Sequence, residues 1–326
     1  MFKPTTLLPL VVGLLGASSL SVQAQVIASD NFSEGTVGSQ ILGAGTSGNG
    51  WANGWADKNN LDVVQSGSLS YTDGSGNTLS TSGNSLQSNG QSTGSNSSEP
   101  ERTLSSTIGA SALANTADPN TVWMSYLWQG NNTSSSGSLF RQATMMFLKG
   151  ASTTSASPGG TEYVDIGMPN ITSANVSTVN PNISLWTSSG NAGQTLSSTA
   201  PLQSSVAANN ALSYFILVEF TGTASAWSAA GNSETLNVWI DPTLTGNQPT
   251  GGPNITYSGQ DLSTINAIRL QGGGTSAAEG TLPGTETVSD INFGNTVLDV
   301  EPVPEPTTIA LAAFGGFGLL ALRRKR

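Results

Sequence analysis

Apolar residues in this chain fall into three arrangements. Two are nearly continuous, Leu7–Leu20 near one end and Thr307–Leu322 near the other. Between them they come in short alternating or unbroken runs, separated by Gly, Ser, Asn and Pro, with no sustained 3.6-residue period. The clearest runs are Leu61–Val64, Thr121–Trp128, Phe140–Leu148, Glu162–Met168, Ile183–Trp186, Tyr214–Phe220, Leu236–Ile240, Ile265–Leu270 and Val288–Phe293. Each has the length of a strand. Asp73-Gly74, between Leu69–Thr72 and Thr78–Leu79, predicts a hairpin turn, because Asp-Gly accepts the positive φ such turns need. Many short strands bounded by turn residues predict an all-β fold, an antiparallel two-sheet sandwich over residues 25–300.

The alternation also assigns faces. Leu236, Val238 and Ile240 share one side of their strand, with Asn237 and Trp239 on the other; Trp123 likewise opposes Val122 and Met124. A Trp on an outward face can stack on a sugar ring while an amide hydrogen-bonds to it, so Trp123, Trp239 and Asn237 are candidate sugar contacts. Packing beneath covering loops is the competing reading. The stretch Ser80–Ser98, nearly all Ser, Asn, Gly, Thr and Gln, is expected as a mobile surface loop. Asn131–Ser138 and Ala151–Thr161 are expected to be similar excursions.

Composition narrows the chemistry. Of 326 residues, 47 are Ser, 37 Thr, 27 Asn and 39 Gly, only 9% are charged, and there is no His or Cys. A Ser-His-Asp triad, a thiol nucleophile, a disulfide framework and an ordinary zinc site are all excluded. Carboxylates, carbonyls and waters remain as metal ligands, which suits calcium. Asp57, Asp62, Asp73 and Asn77, in two short polar loops, are candidate calcium ligands, although neither loop has the EF-hand spacing and Asp and Asn also stabilise turns. No other cofactor is expected. Residues 25–300 hold five basic against eighteen acidic residues, which repels phosphate backbones and argues against nucleic acid. A glycosidase needs two carboxylates across one bond. Glu162 and Asp165 are spaced to opposite strand faces, Glu219 and Glu234 stand alone in the sequence, and all are expected as solvated acids or loop acceptors. No catalytic residue is assigned, and the chain is expected not to be an enzyme.

The two continuous apolar runs are addresses. Met1-Phe2-Lys3, the run to Leu20 and Ser21-Val22-Gln23-Ala24 describe a secretory signal peptide, residues 1–24, with cleavage between Ala24 and Gln25. Residues 301–326 form a tail of three parts: Pro304-Glu305-Pro306, an apolar stretch to Leu322, and Arg323-Arg324-Lys325-Arg326. As a helix, Thr307–Leu322 would span roughly 24 Å, and flanking Arg can snorkel to match a bilayer. The terminal cations are expected to stay cytoplasmic, with the acidic body outside.

This tail resembles the PEP-CTERM sorting signal of Gram-negative bacteria that make extracellular polysaccharide. The resemblance implies export across the inner membrane, transient anchoring through a transmembrane helix, processing by an exosortase, and a cell-surface or extracellular destination. The body resembles, more loosely, concanavalin A/laminin-G-like jelly rolls. That resemblance rests on Asp30-Asn31-Phe32, Gly50-Trp51 with Gly54-Trp55, Ser70–Gly74, Thr121–Tyr126, Leu236–Pro242 and Asp290–Phe293. It implies adhesion or exopolysaccharide association in the extracellular matrix. The alternatives are a secreted glycan-active hydrolase or lyase, and a glycosylated structural matrix protein with no discrete site.

Overall fold

The computed structural model describes residues 26–45, 49–57, 61–89, 99–116, 118–131, 142–151, 161–168, 182–187, 195–201, 212–228, 233–273 and 285–301. The expected signal peptide with its cut at Ala24/Gln25, the sorting residues Pro304, Glu305, Pro306 and Arg323–Arg326, and the apolar tail all lie outside them. Among the described residues no helix is long and apolar enough to cross a membrane.

These residues form two antiparallel sheets. One contains β1 (Val26–Asp30), β3 (Val63–Gln65), β4 (Ser85–Asn89), β6 (Thr121–Asn131), β11 (Tyr214–Thr221), β12 (Glu234–Ile240), β13 (Ile255–Gln260) and β15 (Thr285–Gly294). Its order is β13-β12-β11-β6-β15-β4-β3, with β1 also paired to β15. The second contains β2 (Ala56–Asp57), β5 (Pro100–Thr103), β7 (Gln142–Lys149), β8 (Thr161–Met168), β9 (Asn182–Thr187), β10 (Thr195–Pro201) and β14 (Ile265–Gly273), in the order β10-β9-β8-β7-β14-β5-β2. Three short helices are α1 (Ile108–Ala114), α2 (Ala224–Ser228) and α3 (Val297–Val300).

All nine apolar runs read from the sequence lie in strands or overlap them. Their inward faces meet in one core: Val122, Met124, Tyr126 and Trp128 of β6 and Leu236 and Val238 of β12 face Met145 and Phe147 of β7 and Val164 and Ile166 of β8. Phe147 meets Phe220 of the opposite sheet edge-on, ring centroids 5.3 Å apart. Each such fully buried ring stabilises the fold by about 1.5–3 kcal/mol.

Residues singled out near the N-terminus assemble into one buried knot. Asp30 accepts from Phe32 N–H at 2.8 Å and from Trp55 Nε1 at 2.7 Å, and it pairs with Arg102 of the other sheet. The Arg102 guanidinium lies over the Trp51 ring, and Phe32 stacks on Trp55. Gly50, at φ 83°, passes so close to the backbone of Ile27 and Ala28 that a Cβ there would collide with it.

The polar stretch Ser80–Ser98 departs from expectation. Within it, Ser85–Asn89 is β4, paired to β15 and β3, with Leu86 and Ser88 fully buried. Backbone pairing on both sides and one core leucine suffice, and a Cβ on Gly272 of β14 would collide with Ser88, so the sheets approach closely there. Asn131 ends β6, Ala151 is buried, and Thr161 opens β8; most of the two other polar stretches lies outside the described residues. The expected solvated acids are also a correction. Asp165 and Glu234 are 0% exposed and Glu219 is 7% exposed: Glu234 shares the core-facing side of Leu236 and Val238, Glu219 lies at the roofed outer face, and Asp165 pairs across from buried Met146; the side chain of Glu162 is outside the described set.

Candidate functional site

The outward face of the eight-stranded sheet is roofed over. Trp123 and Leu127 of β6, Phe215 and Leu217 of β11 and Trp239 of β12 pack beneath Tyr71, Leu79, Leu244, Val297 and Val300, forming a second apolar cluster. Trp123 and Trp239 are each 5% exposed, with ring centroids 5.7 Å apart, and Trp239 Nε1 donates to the Gly251 carbonyl at 3.0 Å. The face assignment from the sequence holds, and of its two readings the packing beneath covering loops is the one observed, so these rings offer no open face for a sugar. Asn237 stays half-buried. Pairing sets Trp123, Glu219, Asn237 and Thr256 in one row across four strands. Along it Asn237 donates to Glu219 Oε2 at 2.8 Å and accepts from Thr256 at 3.0 Å.

Two anchors hold the roof. The first is the hairpin, where Thr72 bridges Thr78 and Leu79 N–H donates to the Tyr71 carbonyl. Its positive φ falls at Gly76, 85°, rather than at Gly74. Asp73 accepts from the backbone N–H groups of Ser75 and Asn77, both at 2.8 Å, from Asn77 Nδ2 at 2.9 Å and from Leu244 N–H at 2.9 Å. Burial works against the Asp73 charge, but these donors together hold its carboxyl below the usual range. A carboxylate so filled, with the Asn77 amide nitrogen turned toward it, does not fit a calcium site; this pair is a structural turn. Asp57 and Asp62 are buried, and Asp62 N–H faces Asp57 Oδ2 at 3.4 Å. Among the described residues no three acidic, His or Cys side chains gather as a metal site. The second anchor is the segment of α3, where Val297 and Val300 plug the cluster and Glu301 Oε1 accepts from Gly246 N–H at 3.0 Å. Burial, with the Asp73 charge adding to it, raises the Glu301 carboxyl to about 6.

Cavities open at the edges of this roof. The larger, about 690 Å³, is lined by Tyr71, Asp73, Leu212, Tyr214 and Asp241 with Ser and Thr hydroxyls between them. Tyr71 stacks on Phe215 at 5.6 Å and donates its hydroxyl to the Pro242 carbonyl at 3.0 Å. Asp241 sits at φ 53°, a left-handed conformation that Asp adopts more readily than most residues other than Gly. Its Oδ1 accepts from Phe215 N–H at 2.8 Å, and burial raises its carboxyl to about 6. Burial also raises the Tyr71 and Tyr214 hydroxyls, with the Asp241 charge adding to both.

A cavity of about 300 Å³ lies toward the other end of β11, five residues or roughly 17 Å along the strand. It is lined by Asp118, Trp123 and Glu219. Burial raises the Glu219 carboxyl, the Asn237 hydrogen bond opposes this, and the Asp118 charge adds to it. A third, of about 420 Å³, lies beside the N-terminal knot and is lined by Asp30, Glu34 and Asp290 with Ser and Asn.

Sequence reasoning missed Asp241 and set Glu219 aside as isolated. The signal for Asp241 was the Asp-Pro step closing a strong strand, a turn that aims the carboxyl out of the sheet. Glu219 acquires its neighbours only through strand register, which one sequence does not specify.

The family comparison now adds the address. Residues 302–326 match the model of the PEP-CTERM protein-sorting motif. The chain carries that motif. It marks an exported, surface-directed protein handed to an exosortase. No curated protein matches the chain. Among solved structures it is similar to the alginate lyase Aly36B, at 8% identity and TM-score 0.44, over 82% of this chain and 95% of that one. A carbohydrate esterase from the Shiga toxin-encoding bacteriophage phi24B follows at 9% and 0.42, over 83% and 98%. An endo-β-1,4-glucuronan lyase from the fungus Trichoderma reesei stands at 10% and 0.36, over 76% and 97%. At these identities and scores the likenesses carry no argument about the body of this chain, and those proteins' activities say nothing of its own.

Proposed function

We propose that this exported, surface-directed protein associates with extracellular polysaccharide without cutting it, holding a short length of glycan in the cavity of Tyr71, Tyr214 and Asp241. The observation that carries the reading is the convergence there of two tyrosines, one open carboxyl and several hydroxyls in a volume of about 690 Å³, within the range of small-ligand sites. Aromatic rings cover sugar faces, and hydroxyl and carboxyl oxygens match sugar hydroxyls. Holding is favoured over cutting because Asp73, the other acid in this cavity, is filled by its own turn and leaves Asp241 without an opposing carboxylate. Membrane anchoring through the Thr307–Leu322 helix before exosortase processing belongs to the same proposal.

Co-sedimentation with neutral, amino and uronic polysaccharides tests it. Retention without release of reducing ends or unsaturated products is expected; no retention on any of them would leave a structural matrix protein without a discrete site. A second reading, a glycan-active enzyme, draws on Asp118 and Glu219 lining one cavity. It expects product release that Glu219→Gln abolishes.

A further inference from the structure

The three cavities described above share a charge pattern. Each is lined by acids, Asp73 and Asp241 in the largest, Asp118 and Glu219 in the smallest, Asp30, Glu34 and Asp290 in the third, and neither Lys nor Arg lines any of them. The described cations of the body are paired with acids, and Arg102 lies against two that line the third cavity, Asp30 and, at 3.7 Å, Glu34. Arg102 pairs with Asp30, Lys149 with Asp261 at 3.2 Å and Arg269 with Glu101 at 2.9 Å; Lys58 and Arg141 lie outside the described residues. A polysaccharide of uronic acids entering the cavity of Tyr71, Tyr214 and Asp241 would bring carboxylates against carboxylates with no described Lys or Arg in its lining, which is unfavourable in a partly desolvated site.

The cavity of about 690 Å³ adds a specific acceptor. Asp241 is turned out of its strand at positive φ, and Phe215 N–H occupies only Oδ1. Among the described residues no hydrogen bond reaches Oδ2, and the cavity that Asp241 lines is bounded also by the largely buried Tyr71 and Tyr214 and by the exposed Leu212. An ammonium group set beside a carboxylate and over an aromatic face gains a charge-assisted hydrogen bond and a cation–π contact together. A hydroxyl at the same place gains only a neutral partner.

We propose that the Tyr71–Tyr214–Asp241 cavity selects amino-bearing glycans, sugar units with a free protonated amine, and rejects polyuronates. The proposal rests on the polysaccharide-binding reading above and names the ligand class of that site. Asp241 supplies the counter-charge, the tyrosines the apolar wall, and the surrounding acids the long-range attraction for a cationic chain.

Calorimetric titration of the purified protein near neutral pH with three probes separates the outcomes: a hexamer of β-1,4-linked glucosamine, its fully N-acetylated counterpart, and a hexamer of mannuronate. The glucosamine hexamer is expected to bind, to weaken as salt is added, and to exceed the N-acetylated one by about tenfold, as loss of one charge-assisted contact implies. Mannuronate is expected not to bind. Asp241→Asn keeps the Oδ1 acceptor for Phe215 and should cut glucosamine affinity about tenfold while leaving the N-acetylated probe unchanged. Equal binding of glucosamine and N-acetylated probes, or tighter mannuronate binding, overturns the amine selection but leaves polysaccharide binding standing. Silence with all three, repeated with the polysaccharides of the co-sedimentation test, overturns both. The probe comparison uses the wild-type protein and so stands even if the variant fails to fold.

Discussion

The two faces of the eight-stranded sheet are built by different means. The inner face is a broad apolar core in which strand alternation alone brings side chains from both sheets together. The outer face is a smaller cluster roofed by a hairpin, the segment after β12 and a short helix. Polar contacts tie that roof to the sheet. Asp73 ties the hairpin to Leu244, Glu301 ties the chain end to Gly246, and Asp241 turns away from its strand at positive φ. The inner face makes the sandwich stable; the outer face gives it cavities, at the cost of burying carboxyls.

Substitutions should separate the two. Phe220→Ala on the inner face removes the edge contact with Phe147 and should cost about 4 kcal/mol of unfolding free energy in urea, with exchange protection falling in both sheets. Trp239→Ala on the outer face should cost about 3 kcal/mol, with protection lost chiefly between residues 241 and 251. If the second change loosened both sheets equally, the roof would not be a separate layer. Asp73→Ala strands four donors and should cost about 2 kcal/mol, confined to the hairpin and the Leu244 segment by the same exchange measurement.

The smallest effect is electrostatic. Glu301 and Asp241 both have carboxyls raised to about 6, so between the ordinary carboxylate range and that value the folded chain holds protons the unfolded chain has released. Their ionisation therefore weakens the fold as pH rises through 6. Stability should increase by about 1 kcal/mol from Glu301 alone between pH 7 and pH 5, and Glu301→Gln should remove that part of the slope. Below pH 4 the trend should reverse, because Asp73 and Asp261 have lowered carboxyls that support the fold only when ionised. Thermal melts of the two proteins across this range check both limbs.

What the sequence disclosed follows the same division. Inner-face strands such as β6 and β12 were legible because Val122, Met124, Leu236 and Val238 repeat at the strand period. Trp123 and Trp239 were assigned the correct face, but whether that face was open depended on loops whose packing leaves no local period. Ser85–Asn89 was hidden because its single leucine carries no pattern and its pairing partners are distant in the chain. The acids at the cavities were legible as residues and illegible as neighbours. Glu219 meets Trp123 and Asn237 only through register, and Asp241 meets Tyr71 only because the hairpin folds over β11.

The central claim is that the outer roof, not the open strand faces, receives the glycan. Amide hydrogen exchange of the wild-type protein, with and without a saturating glucosamine hexamer, tests it most directly. The account predicts added protection at Ser70–Gly74, at Ser213–Phe215 and from Asp241 to Leu244, with the strands of the seven-stranded sheet unchanged. Protection centred on that second sheet, or none in the roof despite measured binding, would contradict it.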